Sequence, residues 1–294
     1  MDCMRFFLLL SVVTILTPGA RAQSIPLAIQ AQIESRIAAS HADVAVAFQT
    51  LDDKTAYFYH ADDSFHAAST MKVPVMIELF HQVQQGKLDL NDKIPIHVEF
   101  HSIVDGSVYR LNPADDSELL LYDAQGETRT LSQLCDLMIT VSSNLATNLL
   151  IEKLGVENIQ ATTEMLNANG MKVLRGVEDS KAFEKGLNNT TTARALQILM
   201  TAIADGKAVN PSSSQQMIQI LEHQKFNEGI PRGLPEGMRV AHKTGEITRI
   251  HHDAAIVYAA RPFVLVILVR GLVELRDSSA VMADITRLLY QATQ

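Results

Sequence analysis

The sequence predicts a two-lobed α/β chain of the α+β kind. One antiparallel sheet of about five strands, flanked by N- and C-terminal helices, is expected beside an all-helical lobe. Three observations predict it. β-rich runs lie near the two ends, at 44–59 and after Pro235; helical spacing dominates from Met71 to about Gly206; and neighbouring strands are joined by short connections. Short connections favour antiparallel neighbours, so both ends feed one sheet and the helical middle is inserted between them. The sheet lobe is expected over 23–68 and 228–294, and the helical lobe over 69–227. A site is expected where the lobes meet.

The elements follow in order. Arg5, the apolar run Phe6–Leu16 and the small residues of Ala20-Arg21-Ala22 read as a secretory signal over 1–22, too short to span a bilayer comfortably. The expected consequence is an exported chain, periplasmic or secreted, beginning at Gln23 without stable membrane insertion. Leu27, Ile29, Ile33 and Ile37 recur at near-helical spacing after Pro26, which suits a first turn. Val44–Phe48 and Thr55–Tyr59 flank the turn Leu51-Asp52-Asp53-Lys54 and predict a hairpin. A buried helix follows over Val73–Phe80. The stretch 94–130, with Pro95, Pro113, Asp115-Asp116 and Gly126, reads as polar and irregular, and Tyr109 within it as a residue of the cleft entrance or a cover for a helix. Helices are expected from Thr130 to Leu154, ended by Gly155, and from Thr191 to Ala204 before Gly206. Strands are expected at 238–244, 254–258 and 263–269, and a helix at 278–292.

The composition excludes some functions. The formal charge is −8, and −9 once residues 1–22, with Arg5, Arg21 and Asp2, are removed, so the overall field does not suit nucleic acid. Of the two cysteines, Cys3 falls in the signal and Cys135 is left alone, so no internal disulfide is expected. Cys135 sits on an apolar helical face and reads as a core residue. With 47% hydrophobic residues the chain has ample core, and a monomer needing no metal or cofactor is expected. His251-His252 are adjacent, and neither HxHxD nor HExxH occurs.

Three short motifs carry chemistry. Ser69-Thr70-Met71-Lys72 puts a hydroxyl and an amine on one face of a helix start, where a desolvated lysine could take the serine proton. Ser142-Ser143-Asn144 interrupts the apolar run 138–150 with small polar groups, which a buried helix accepts only if they are hydrogen-bonded. Lys243-Thr244-Gly245 ends a strand with a carboxylate-binding pair and a residue that lets a ligand approach the strand edge. Each pattern alone is also compatible with a buried helix, a Ser/Asn turn or a solvated edge lysine.

Together, S-x-x-K, S-x-N and K-T-G in this order resemble the motif set of class A β-lactamases and penicillin-binding proteins. The likeness extends over nearly all of residues 23–294. It implies serine acyl transfer: Ser69 as nucleophile, Lys72 as its base, Ser142 as proton donor to the departing nitrogen. It also implies that Asn144 holds the substrate's side-chain amide and that Lys243 and Thr244 bind its carboxylate. The backbone amides of Ser69 and of Glu246, the residue after Gly245, would form an oxyanion hole. The implied substrate is a β-lactam or an acyl-D-Ala-D-Ala-like molecule. The implied activity is a class A-type β-lactamase acting in antibiotic resistance; the alternatives are a penicillin-binding DD-peptidase or esterase-like hydrolase on the same scaffold and a non-enzymatic penicillin-sensing protein.

The motifs also depart from the family. Ser143 stands where class A enzymes carry Asp, and His252, with Arg249 nearby, stands where many carry a substrate-binding arginine. For the base of deacylation, Glu184-Lys185-Gly186-Leu187-Asn188 matches the family's E-x-x-L-N, Glu178 is the other candidate, and a chain with no deacylation base is the third alternative.

Overall fold

The computed structural model describes residues 23–294, and the expected signal segment lies outside them. Its centre is a six-stranded sheet in the order Gln23–Ser24, Thr55–Tyr59, Asp43–Thr50, Phe263–Arg270, Ile250–Val257, Val240–Ile247. Both ends of the chain contribute, and every neighbouring pair is antiparallel except Gln23–Ser24 beside Thr55–Tyr59. This parallel edge accounts for the sixth strand; two residues carry no periodicity to read.

Strand alternation divides the core. Val44, Val46 and Phe48, with Leu265, Ile267 and Val269, pack beneath helices Leu27–Ser40 and Leu275–Gln291. Ala45 and Ala47, with Val264, Val266 and Leu268, face the helical lobe. Both faces are covered, so the central strands read as continuous apolar runs. Because the face toward the lobe offers alanines, helix Ala193–Ala204 can lie close against it.

The lobe contains helices Lys72–Gln84, Leu131–Thr140, Asn144–Leu154, Val156–Met165 and Pro211–Glu222. The helix expected over 130–154 is therefore two. It breaks at Ser142, whose φ of 60° lies in the left-handed region, and restarts where the Ser143 hydroxyl accepts from Ala146 N at 3.2 Å. The stretch expected to be irregular holds two strand pairs, Lys93–Pro95 with Thr128–Thr130 and Glu99–His101 with Val108–Arg110. Helix Pro211–Glu222, which the sequence reading omitted, opens on an Asn210 side-chain cap with Pro211 in its first turn. Cys135 is buried among Leu131, Leu134 and Met138, and burial pushes its thiol up to about 12, as suits a core residue.

Two features position the site. The chain leaves the sheet through a 3₁₀ turn, Ala68–Met71, and Val240–Ile247 is the free edge strand packed against that turn.

Candidate active site

Ser69 stands on a strained bend. Ala68 has φ 45°, costly for a residue with a side chain, and the turn is held by its surroundings. Ala67 N donates to Asn189 O at 2.8 Å, Ala68 N to His66 Nδ1 at 3.0 Å, and Thr70 Oγ1 to Ala67 O at 2.6 Å. Ser69 remains half-buried at the cleft while Lys72, one turn on, is 0% exposed. Lys72 Nζ donates to Ser142 O at 2.7 Å, Asn144 Oδ1 at 3.1 Å and Ser142 Oγ at 3.2 Å. Burial holds its pKa down to about 7, against the upward pull of Asp116 and Glu178. A lysine so placed is neutral in an appreciable fraction at neutral pH and can accept a proton.

Ser142 lies between the two lysines. Its Oγ also accepts from Lys243 Nζ at 3.0 Å, and Lys243, equally buried, donates to Thr244 O at 2.8 Å. Burial first, and then the charge of Lys72, push the Lys243 amine well down, with Asp253 opposing. A hydroxyl has two lone pairs and one proton. With two lysines filling the acceptor positions, the Ser142 proton is left to be given away.

The edge strand supplies backbone. Tyr258 N donates to Arg239 O at 3.0 Å, so residues 239 and 258 form a hydrogen-bonded pair. In an antiparallel ladder such pairs alternate, which leaves the N–H groups of residues 240, 242, 244 and 246 at the free edge. The Glu246 amide thus points away from the sheet, beside the Ser69 turn, whose first amides have no partner within the helix. Gly245 makes the approach possible: a Cβ there would lie 3.0 Å from Thr70 N and 3.1 Å from Ser69 N. Gly245→Ala is expected to push the strand off the turn and to lower the acylation rate about 100-fold by misaligning the two amides. Stopped-flow acylation, with thermal melting to check the fold, measures this.

The structure brings Glu178 to the cleft and leaves Glu184 outside it. Glu184 ends the short helix Ser180–Glu184, exposed and absent from the cleft lining. The E-x-x-L-N match at 184–188 serves the loop instead: Leu187 O and Asn188 Oδ1 accept from the Arg175 guanidinium at 2.8 and 3.2 Å. Asn189 completes the staple, its Oδ1 accepting from Leu174 N and its Nδ2 donating to Arg175 O. At the other end of the loop Asn148 grips Val177, accepting from its N–H at 2.7 Å and donating to its carbonyl at 3.1 Å. Tyr109 also donates to that carbonyl, so it anchors this loop. Glu178 follows with φ 63°, and its Oε1 accepts from Asn144 Nδ2 at 2.8 Å. Burial raises its pKa, against the lowering effect of hydrogen bonds from Asn144 and Asn112. A carboxylate with a raised pKa is a stronger base.

A cleft of 570 Å³ is lined by Ser69, Ser142, Asn144, Thr244 and Glu246, and an adjoining hollow of 370 Å³ by Ser69, Asn144, Arg175, Glu178 and Phe183. Both sizes suit a small molecule. His252 is withdrawn from them: its Nε2 meets His66 O at 2.9 Å, its Nδ1 accepts from Val269 N at 3.2 Å, and burial holds its pKa down to about 4. It cannot stand in for a substrate-binding arginine. Arg249 lines the cleft but donates to Gly271 O at 2.7 Å. Among the described residues no cluster of His, Cys, Asp or Glu could hold a metal ion.

A family model described as the beta-lactamase enzyme family matches residues 28–293. The chain belongs to this β-lactamase family. The extended-spectrum β-lactamase PER-1 of Pseudomonas aeruginosa is 24% identical over 274 residues, covering 88% of this chain and 85% of that protein. Among solved structures, a β-lactamase from Sphaerobacter thermophilus is 27% identical, with a TM-score of 0.75, covering 90% of this chain and 96% of that one. An ancestral class A β-lactamase is 25% identical with a TM-score of 0.78, covering 90% and 99%. A variant of PBP-A, solved as an acyl-enzyme complex with penicillin G, shares the fold at 24% identity and a TM-score of 0.80, covering 93% and 98%. This β-lactamase-family protein is accordingly a hydrolase of the superfamily that unites serine β-lactamases and penicillin-binding proteins. No helix among its described residues is long and apolar enough to cross a membrane.

Proposed function

We propose that this protein is a class A-type serine β-lactamase that hydrolyses β-lactams through an acyl-enzyme on Ser69. The observation that carries the hydrolytic half is Glu178, a carboxylate of raised pKa lining the same hollow as Ser69. In the first half, Lys72 in its neutral form takes the Ser69 proton. No hydrogen bond joins Ser69 Oγ to Lys72 Nζ among the described residues, so transfer uses a water or a small side-chain rotation. Ser69 Oγ then attacks the lactam carbonyl, and the amides of Ser69 and Glu246 receive the oxyanion. As the carbon–nitrogen bond breaks, Ser142 gives its proton to the nitrogen and regains one from Lys72. Lys243 and Thr244 bind the substrate carboxylate. The side-chain amide carbonyl reaches Asn144 Nδ2 by replacing the Asp115 carbonyl, which that group contacts at 3.1 Å. In the second half, Glu178 takes a proton from water as it attacks the ester; as the bond to Ser69 Oγ breaks, that proton passes on to Ser69 Oγ, which restores the free serine and the Glu178 carboxylate.

The proposal extends to export after cleavage near Gln23, to action as a monomer, and to a place in β-lactam resistance. The division into a sheet lobe and an inserted lobe at 69–227 goes with it, since Ser69 and Lys243 then approach the cleft from opposite sides. Purified protein mixed with a chromogenic cephalosporin should turn it over continuously. A single stoichiometric burst would instead assign a penicillin-binding peptidase or slow esterase, and no reaction a non-catalytic binder.

The pH dependence has a definite sign. Lys72 acts when deprotonated, so kcat/KM for acylation should rise with pH through about 7 and level off above it. A profile flat from pH 5 to 9 would remove Lys72 as the base.

A further inference from the structure

The segment 112–118 had no role legible in the sequence, and the middle motif carries Ser143 where its relatives' pattern has an aspartate. The structure connects the two facts. Asp116 reaches across from that segment to the break between helices Leu131–Thr140 and Asn144–Leu154. Its Oδ2 accepts from Leu145 N at 2.8 Å, from Tyr122 OH at 3.0 Å and from Ser143 Oγ at 3.3 Å. Its Oδ1 accepts from Glu118 N at 3.1 Å, which fixes the carboxylate within its own turn. Ser117 Oγ donates to Val141 O, and Asn144 Nδ2 to Asp115 O, so three consecutive residues clasp the motif.

We propose that Asp116 is the positioning carboxylate of the Ser142-Ser143-Asn144 turn, delivered from a distant loop to do what an aspartate at position 143 would do from within it. The inference rests on the reading of Lys72 and Ser142 given above. Two physical effects follow. First, the carboxylate satisfies the buried Leu145 amide at the start of the Asn144 helix and favours the helix's positive end, while Ser143 caps the next amide. The bend at Ser142 is thereby held at its left-handed φ, with Ser142 O and Oγ and Asn144 Oδ1 all within reach of Lys72. Second, Asp116 is one of the charges that face Lys72, the others being Glu178 on the loop and Lys243 on the edge strand. It is an anion, so it favours the protonated lysine and opposes burial.

The two effects are separable. Asp116→Asn keeps an acceptor for Leu145 N but removes the charge; Asp116→Ala removes both. The expected result for Asp116→Asn is a Lys72 titration, followed by carbon-13 NMR of ε-labelled lysine, moved down by roughly half to one pH unit. The acid limb of acylation should move with it. Asp116→Ala should add a loss of about tenfold in acylation rate on the alkaline plateau, where Lys72 is neutral in every variant. The swap Asp116→Ala with Ser143→Asp should restore both rate and titration, because the carboxylate returns from the neighbouring position. An unmoved Lys72 titration in Asp116→Asn, or a swap that restores neither quantity, overturns the proposal. Since the titration needs no substrate, it reads Asp116 even if the wild-type protein leaves every β-lactam intact, an outcome that would defeat the hydrolytic reading alone.

Discussion

Glu178→Gln is expected to turn a hydrolase into a trap. Glutamine preserves the size of the side chain and an oxygen for Asn144 Nδ2, which meets Glu178 at 2.8 Å, so the cleft keeps its shape. What it loses is a group that can accept a proton from water. Acylation depends on Lys72, Ser142 and the two backbone amides and should remain within a few-fold of wild type. Deacylation should fall by about 10²–10⁴, the usual worth of a positioned general base. In a stopped-flow experiment with a chromogenic cephalosporin, this variant should give one equivalent of product and then almost none. Glu184→Gln should behave as wild type, because Glu184 is exposed and outside the cleft. The reverse pattern would return the role to Glu184 and require the loop to rearrange.

Ser69→Ala should abolish covalent chemistry with little change in stability. The bend beneath Ser69 is held by Ala67, His66, Thr70 and Asn189, and the Ser69 hydroxyl contributes no hydrogen bond to it. Removing Oγ leaves the oxyanion amides and both lysines but no atom to attack. Turnover should drop by about 10⁵-fold or more, as when a triad nucleophile is deleted, while the melting temperature stays near wild type. A labelled penicillin that still attaches to Ser69→Ala would show that another side chain is the nucleophile.

Five of the sheet's six strands were legible because they alternate or run apolar for five or more residues, and Gln23–Ser24 was too short to read. The motifs were legible because spacing along one helix or strand is a local property. Ser142 Oγ lies within 3.2 Å of the Nζ atoms of both Lys72 and Lys243, and Ser69 and Asn144 line the same cleft as Ser142. What could not be read was set by contacts far apart in sequence. Whether residue 178 or 184 enters the cleft depends on Asn148 holding Val177 and on Gly176 lying so close that a Cβ would sit 2.5 Å from Asn148 Oδ1. A literal motif match at 184–188 misled because Leu187 and Asn188 are needed by Arg175. His252 looked available on its strand, but its partners, His66 and Val269, lie on other segments. Ala68, Ser142 and Glu178 all have positive φ, a local strain at the cleft that leaves no trace in residue type.

The central claim, an acyl-enzyme on Ser69 that Glu178 releases, meets its most direct test in the intact mass of the protein during reaction with benzylpenicillin. Wild type should return to its free mass as the opened penicillin accumulates. Glu178→Gln should gain the mass of one penicillin, and digestion should locate it on the peptide that contains Ser69. If neither protein ever carries the added mass on that peptide, or if Glu178→Gln sheds it as fast as wild type, the account is contradicted.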